Sequence, residues 1–320
     1  MTNNSADLDS LVADHEWPPP PYIRPVGGER PIRPSAARSF EGLTYSMIPG
    51  FRPLLLDVHV PDGVACPPVV LWIHGGAWLM GDRRLPPVMW PAGALFQKVV
   101  DAGFAVATLD YRHSKEAPFP AQLHDAKAAI RYLRRFSGDL GIDADRIVVW
   151  GESAGGHLAA LVGLTGGVPG WEGEEGVPTG DTRVTAVVDW YGVHDGERLE
   201  LRGLPVDPAL VPASHAATLA QEPLVTLTEH SSLGPDAIRI CSPVSHVHAA
   251  APPFLLMHGE EDALVPIEQS EIFATTLQTA GGEVELRRVA GADHVFQGVD
   301  ALPLMDEALI WIAERLELES

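Results

Sequence analysis

Apolar positions along this chain arrive in short, nearly unbroken bursts separated by stretches with helical spacing. PPVVLWIHG (67–75), FAVATLDYR (104–112), RIVVWG (146–151), TAVVDWYG (185–192), PPFLLMHG (252–259) and EVELRRV (283–289) are rich in Val, Ile, Leu and aromatic residues. Most lack the polar alternation of a half-exposed strand, so they predict strands buried on both faces. Between them AQLHDAKAAIRYLRRF (121–136), GGHLAALVGL (155–164) and IEQSEIFATTLQTA (267–280) carry apolar residues at helical spacing, and LPLMDEALIWIAERL (302–316) closes the chain as a further helix. Strand and helix in alternation predict an α/β protein with a mostly parallel sheet covered on both sides. Upstream, LTYSMI and PLLLDVHV, followed by the turn at Pro61-Asp62-Gly63, read as a hairpin at one sheet edge.

Two stretches break this rhythm. Residues 1–40 are polar and then proline-rich, which disfavours regular structure. They read as a loose arm or part of a lid. Residues 41–320 read as one α/β domain, and the interval from about 195 to 245 is too long for an ordinary connection, as lids and binding loops often are. The first residues hold no basic segment followed by an apolar one, and no run approaches the length of a membrane span, which predicts a cytoplasmic protein without a membrane partner.

The strand-to-helix junctions carry the chemistry. In an open parallel sheet, reactive groups gather at the carboxyl ends of the strands. Gly151-Glu152-Ser153-Ala154-Gly155 follows RIVVW directly and opens a helix, the context of a nucleophile elbow in which flanking glycines permit a tight turn beneath the Ser153 hydroxyl. A serine hydroxyl needs a base, and the base needs an orienting carboxylate. His294, in GADHVF after the last strand, is the expected base. Asp262, in HGEEDALVP after the preceding strand, is the expected orienter, with Glu260, Glu261 and the adjacent Asp293 as rivals. The order Ser, Asp, His fits this kind of sheet. His74-Gly75-Gly76-Ala77-Trp78 follows VVLWI, and its small residues let main-chain N–H groups face a substrate oxygen. The expected oxyanion hole is the N–H of Gly76, Ala77 and Ala154, with Gly75 in reserve.

Composition narrows the partners. The 320 residues are 46% hydrophobic, enough for a large core, and a formal charge of -21 argues against a nucleic-acid ligand. Cys66 and Cys241 are too few for a disulfide scaffold or a four-thiolate zinc site, and no His/Asp/Glu spacing suggests a metal. His157, directly after the elbow, is expected to pack on its helix. The implied ligand is a small molecule, without a cofactor.

With HGGAW, DYR (110–112), APFPAQLHD (117–125), GESAGG, HGEEDALVP and GADHVF assembled, the chain resembles the α/β-hydrolase superfamily, specifically the hormone-sensitive-lipase-like carboxylesterases and their feruloyl and acetylxylan esterase relatives. The likeness runs from about residue 70 to 298. It implies a cofactor-free serine carboxylesterase acting on small to medium acyl esters through an acyl-enzyme, with a lid from the arm and the 195–245 insertion; Trp78, Trp190 and Tyr191, at predicted strand ends, are the candidates to line the substrate pocket, with core packing as the alternative. The family usually shows HGGG where this chain has HGGA, and GDSAG where it has GESAG. An amidase or arylformamidase, a carbohydrate esterase and a non-catalytic small-molecule receptor are the competing readings.

Overall fold

In the computed structural model, residues 33–199 and 223–316 are described. Eight strands form one sheet in the order β1-β2-β4-β3-β5-β6-β7-β8. They are β1 (Ala37–Ser46), β2 (Leu54–Pro61), β3 (Pro68–Ile73), β4 (Ala105–Leu109), β5 (Asp143–Glu152), β6 (Ala186–Trp190), β7 (Phe254–Gly259) and β8 (Val284–Val289). β1 and β2 form the expected antiparallel hairpin, β2 runs antiparallel to β4, and every other pairing is parallel. The crossover between β3 and β4 makes β3 and β5 neighbours, and that brings the HGGAW and GESAG segments side by side at one end of the sheet.

Helices cover both faces, as the alternation predicts. On one face lie α2 (Ala121–Arg135), α3 (Ala154–Thr165) and α6 (Glu268–Ala280), packed on Val69, Leu71, Ile73, Val149 and Leu256. On the other lie α1 (Ala94–Asp101) and α7 (Ala301–Arg315), packed on Val70, Trp72, Val148, Trp150, Val188 and Trp190. Alternate positions along each strand thus feed separate cores, the consequence of a period-2 strand buried on both sides. Every residue of α3 is buried, so its small and apolar composition on all sides is that of a helix sealed against the sheet.

α1 is an element that the sequence pattern did not reveal. Its Leu95, Phe96, Val99 and Val100 face the core at helical spacing, but Pro86, Pro87 and Pro91 crowd its approach. The expected lid falls mostly outside the described residues, since 1–32 and 200–222 are not among them. What is described of the insertion includes two short helices, α4 (Pro223–Thr228) and α5 (Ala237–Cys241). Leu224, Leu227 and Cys241 join the core on the α3 side. No helix among the described residues is long and apolar enough to cross a membrane.

Candidate active site

β5 runs straight into α3 with Ser153 as the hinge. Its φ of 54° and ψ of -118° lie in a region costly to any residue with a β-carbon, and such strain persists only where surrounding contacts enforce it. Here Ser153 N–H donates to the Trp190 carbonyl at 2.8 Å, and the Ser153 carbonyl accepts from His157 N–H at 3.0 Å. A β-carbon on Gly151 would run into the Gly155 carbonyl, and one on Gly155 would strike the Ile73 carbonyl. The two glycines are thus demanded by close approach of the turn to itself and to β3.

Three side chains from distant loops meet above this turn. His294 Nε2 lies 3.1 Å from Ser153 Oγ, and His294 Nδ1 lies 2.7 Å from Asp262 Oδ2. An ionised Asp262 accepts from Nδ1–H, which leaves Nε2 free to accept the serine proton. Asp262 Oδ1 in turn accepts from the Leu264 and Val265 N–H groups at 2.9 and 2.8 Å. Burial pushes the Asp262 carboxyl upward, but hydrogen bonds from His258 and His294, together with the Val265 N–H, outweigh it and hold the group well below the ordinary carboxylate range. The rival carboxylates stand elsewhere. Glu260 and Glu261 are exposed, and Asp293 Oδ1 accepts from its neighbour's N–H and from Ala263 N–H.

Immediately after the imidazole the backbone is strained again, with φ of 56° at Val295 and 57° at Phe296. Left-handed geometry is costly for a β-branched residue, so something must hold it. The Trp90 indole N–H donates to the Val295 carbonyl at 2.9 Å, and the Phe296 ring packs edge-on against Trp190 and Tyr191. Trp90→Phe keeps most of the packing and removes the indole donor. It is expected to lower stability by about 1–2 kcal/mol, read as a lower midpoint in urea unfolding; an unchanged midpoint would show that this bond holds nothing.

The HGGAW segment turns sharply: Gly76, Ala77 and Trp78 have successive φ values of 106°, 55° and 56°. Beyond it, a buried ion-pair chain pins the loop. Arg83 lies 3.0 Å from Asp57 and 2.7 Å from Asp110, while Arg83 N–H also donates to Asp110. The DYR motif therefore serves the loop's anchorage through Asp110, and its Arg112 is bidentate to Asp125 of α2. Such buried pairs fix geometry more than they add stability. Gly75 is removed from the reserve list of oxyanion donors, because its N–H is consumed by Glu152 Oε1 at 2.6 Å.

The aromatic residues expected to line a pocket are instead core residues. Trp190 is wholly buried among Trp72, Trp90, Trp150 and Phe296, on the α1 and α7 side of the sheet. Trp78 is 1% exposed and donates its indole N–H to His157 Nδ1 at 3.2 Å, while His157 Nε2–H reaches the Cys241 carbonyl at 2.8 Å. His157 packs as expected, and its burial lowers its pKa to about 4, which keeps it neutral. Tyr191 is also fully buried, with its ring centroid 4.9 Å from that of His294, so it backs the imidazole. A position at a strand end told which end of the sheet these residues occupy but not which face they turn to.

A family model described as BD-FAE matches residues 56–277. Among curated relatives, Esterase LipQ of Mycobacterium tuberculosis is 33% identical over 252 residues, 78% of this chain and 55% of LipQ. Esterase LipC of the same organism is 33% identical over 291 residues, 89% of this chain and 66% of LipC. The chain thus spans about half to two thirds of the length of these relatives. Among solved structures, a truncated form of a carbohydrate esterase from gut microbiota superposes with a TM-score of 0.73 at 26% identity, covering 90% of this chain and 99% of that one. An acetyl ester-xyloside bifunctional hydrolase from Caldicellulosiruptor lactoaceticus gives 0.65 at 25% identity, covering 85% and 93%.

Proposed function

Because the chain belongs to the BD-FAE family, within the α/β-hydrolases, we propose that it is a serine carboxylesterase whose working groups are Ser153, His294 and Asp262. The observation that carries this reading is the continuous chain of contacts from Asp262 Oδ2 through the imidazole to Ser153 Oγ, at 2.7 and 3.1 Å. The curated relatives LipQ and LipC are named as esterases, which supports it.

In the reaction so assigned, Ser153 Oγ attacks the ester carbonyl carbon as His294 Nε2 takes its proton. The carbonyl oxygen becomes an oxyanion, stabilised by the N–H groups of Gly76, Ala77 and Ala154, the last at the positive end of α3. Collapse of the tetrahedral species expels the alcohol, which leaves with the proton from His294, and the acyl group stays on Ser153. Water, deprotonated by His294, then attacks the acyl carbon; the bond from that carbon to Ser153 Oγ breaks, Oγ takes the proton back from His294, and the acid is released. Asp262 remains ionised throughout and offsets the positive charge of the imidazolium.

Turnover of nitrophenyl esters from acetate to long-chain acyl groups, beside a matched anilide, tests the reading. Hydrolysis of the shorter esters well above the anilide is expected, and a protein that cleaves none of them is no esterase. A carbohydrate esterase is the second reading, favoured by the likeness to the gut-microbiota enzyme. Release of acetate from acetylated xylo-oligosaccharides faster than from nitrophenyl acetate, compared as kcat/KM, would select it.

A further inference from the structure

One buried acid at this centre has no part in the proton relay. Glu152 closes β5, one residue before the nucleophile, and is only 6% exposed. Its Oε1 accepts the Gly75 N–H from the end of β3 at 2.6 Å, and a β-carbon on Gly75 would collide with the carboxyl group. Glycine at 75 is thus what allows the acid to sit against the loop backbone. Asp57, Asp110 and Asp125 face arginines, whereas the chargeable neighbour acting on Glu152 is the His294 ring from the loop after β8. Tyr111, after β4, and Tyr191, after β6, face it as neutral phenols, and Asp262 and His258 lie beyond the imidazole.

We infer that Glu152 is a positioning residue for the esterase reaction, clamping the oxyanion loop through the Gly75 N–H. The inference rests on the esterase reading above. The clamp turns the Gly75 amide away from substrate and fixes the direction of the next two, Gly76 and Ala77. Oxyanion stabilisation depends on donors that need no reorganisation during reaction, so a loosened loop costs rate more than ground-state affinity. Burial raises the Glu152 carboxyl to about 7, against the opposing pull of His294 and the Gly75 N–H. The group therefore gains and loses its charge in the neutral range.

Two variants separate the clamp from the charge. Glu152→Gln keeps an acceptor for Gly75 and removes the charge, so kcat should stay within about threefold of the parent. Glu152→Ala removes both, and kcat should fall about 10- to 100-fold with KM nearly unchanged. Affinity for a trifluoromethyl ketone, which forms the tetrahedral adduct, should fall in parallel, and Gln should rescue most of that loss. A folded Ala variant with parental kcat and adduct affinity, or a folded Gln variant that loses as much as Ala, overturns the inference and leaves the esterase reading standing. A wild type inactive on all esters sinks the reading itself.

Discussion

Ser153→Ala is expected to lower kcat for nitrophenyl acetate by about 10⁴-fold or more while leaving the protein folded. The loss is large because Oγ forms the bond to the acyl carbon, and the neighbouring Ala154 and Gly155 offer no substitute nucleophile. The fold should survive because the elbow is held by main-chain bonds from Ser153 to Trp190 and from His157 to Ser153, neither of which uses the hydroxyl. Alanine carries the same β-carbon through the same dihedral angles, so it adds no clash. Stability should stay within about 0.5 kcal/mol of the parent, read by urea unfolding beside the rate measurement. A variant that keeps more than about a tenth of parental turnover would remove Ser153 from the mechanism.

Asp262→Asn carries the second largest effect, about 10³- to 10⁴-fold in kcat with little change in KM. The Leu264 and Val265 N–H groups fix which atom of residue 262 can be the oxygen, since both donate to Oδ1. The amide nitrogen of asparagine then faces His294 Nδ1, and its hydrogens force that nitrogen to be the acceptor. The ring proton moves to Nε2, which points at Ser153 and can no longer receive a proton. Glu261→Gln, at an exposed position outside the relay, should change kcat less than twofold; a larger loss there than at 262 would move the orienter. Acidification provides a companion measurement. The folded-state pKa of Asp262 lies below that of the unfolded chain, so its contribution to stability is complete above roughly pH 4 to 5 and disappears as pH falls toward the folded value. The Asn variant should accordingly lose stability less steeply in acid.

The sheet and its main helices were legible because burial on two faces writes itself as apolar runs, and one-sided burial as helical spacing. The chain order of Ser153, Asp262 and His294 was legible because strand ends accumulate on one edge of a parallel sheet. What escaped had no local signature. The Glu152 bond to Gly75 joins residues 77 apart, and the Trp90 bond to Val295 joins residues 205 apart. Strain at Val295 and Phe296 is invisible in a sequence, because nothing about valine announces a positive φ. Trp78, Trp190 and Tyr191 were misplaced for a related reason. Residues alternate between faces, and the register that sets Trp150 against Trp190 depends on where the neighbouring strands pair. α1 was missed because proline punctuation outweighed an eight-residue apolar stripe.

Among the described residues β8 ends the sheet with one partner, and an unpaired row of amides is an invitation to any extended chain nearby. Its Glu285, Arg287 and Arg288 are tied to Arg315, Glu307 and Glu271 in a charged fringe. A second molecule that tried to zip onto this border would have to strip water from those groups before gaining its first main-chain bond.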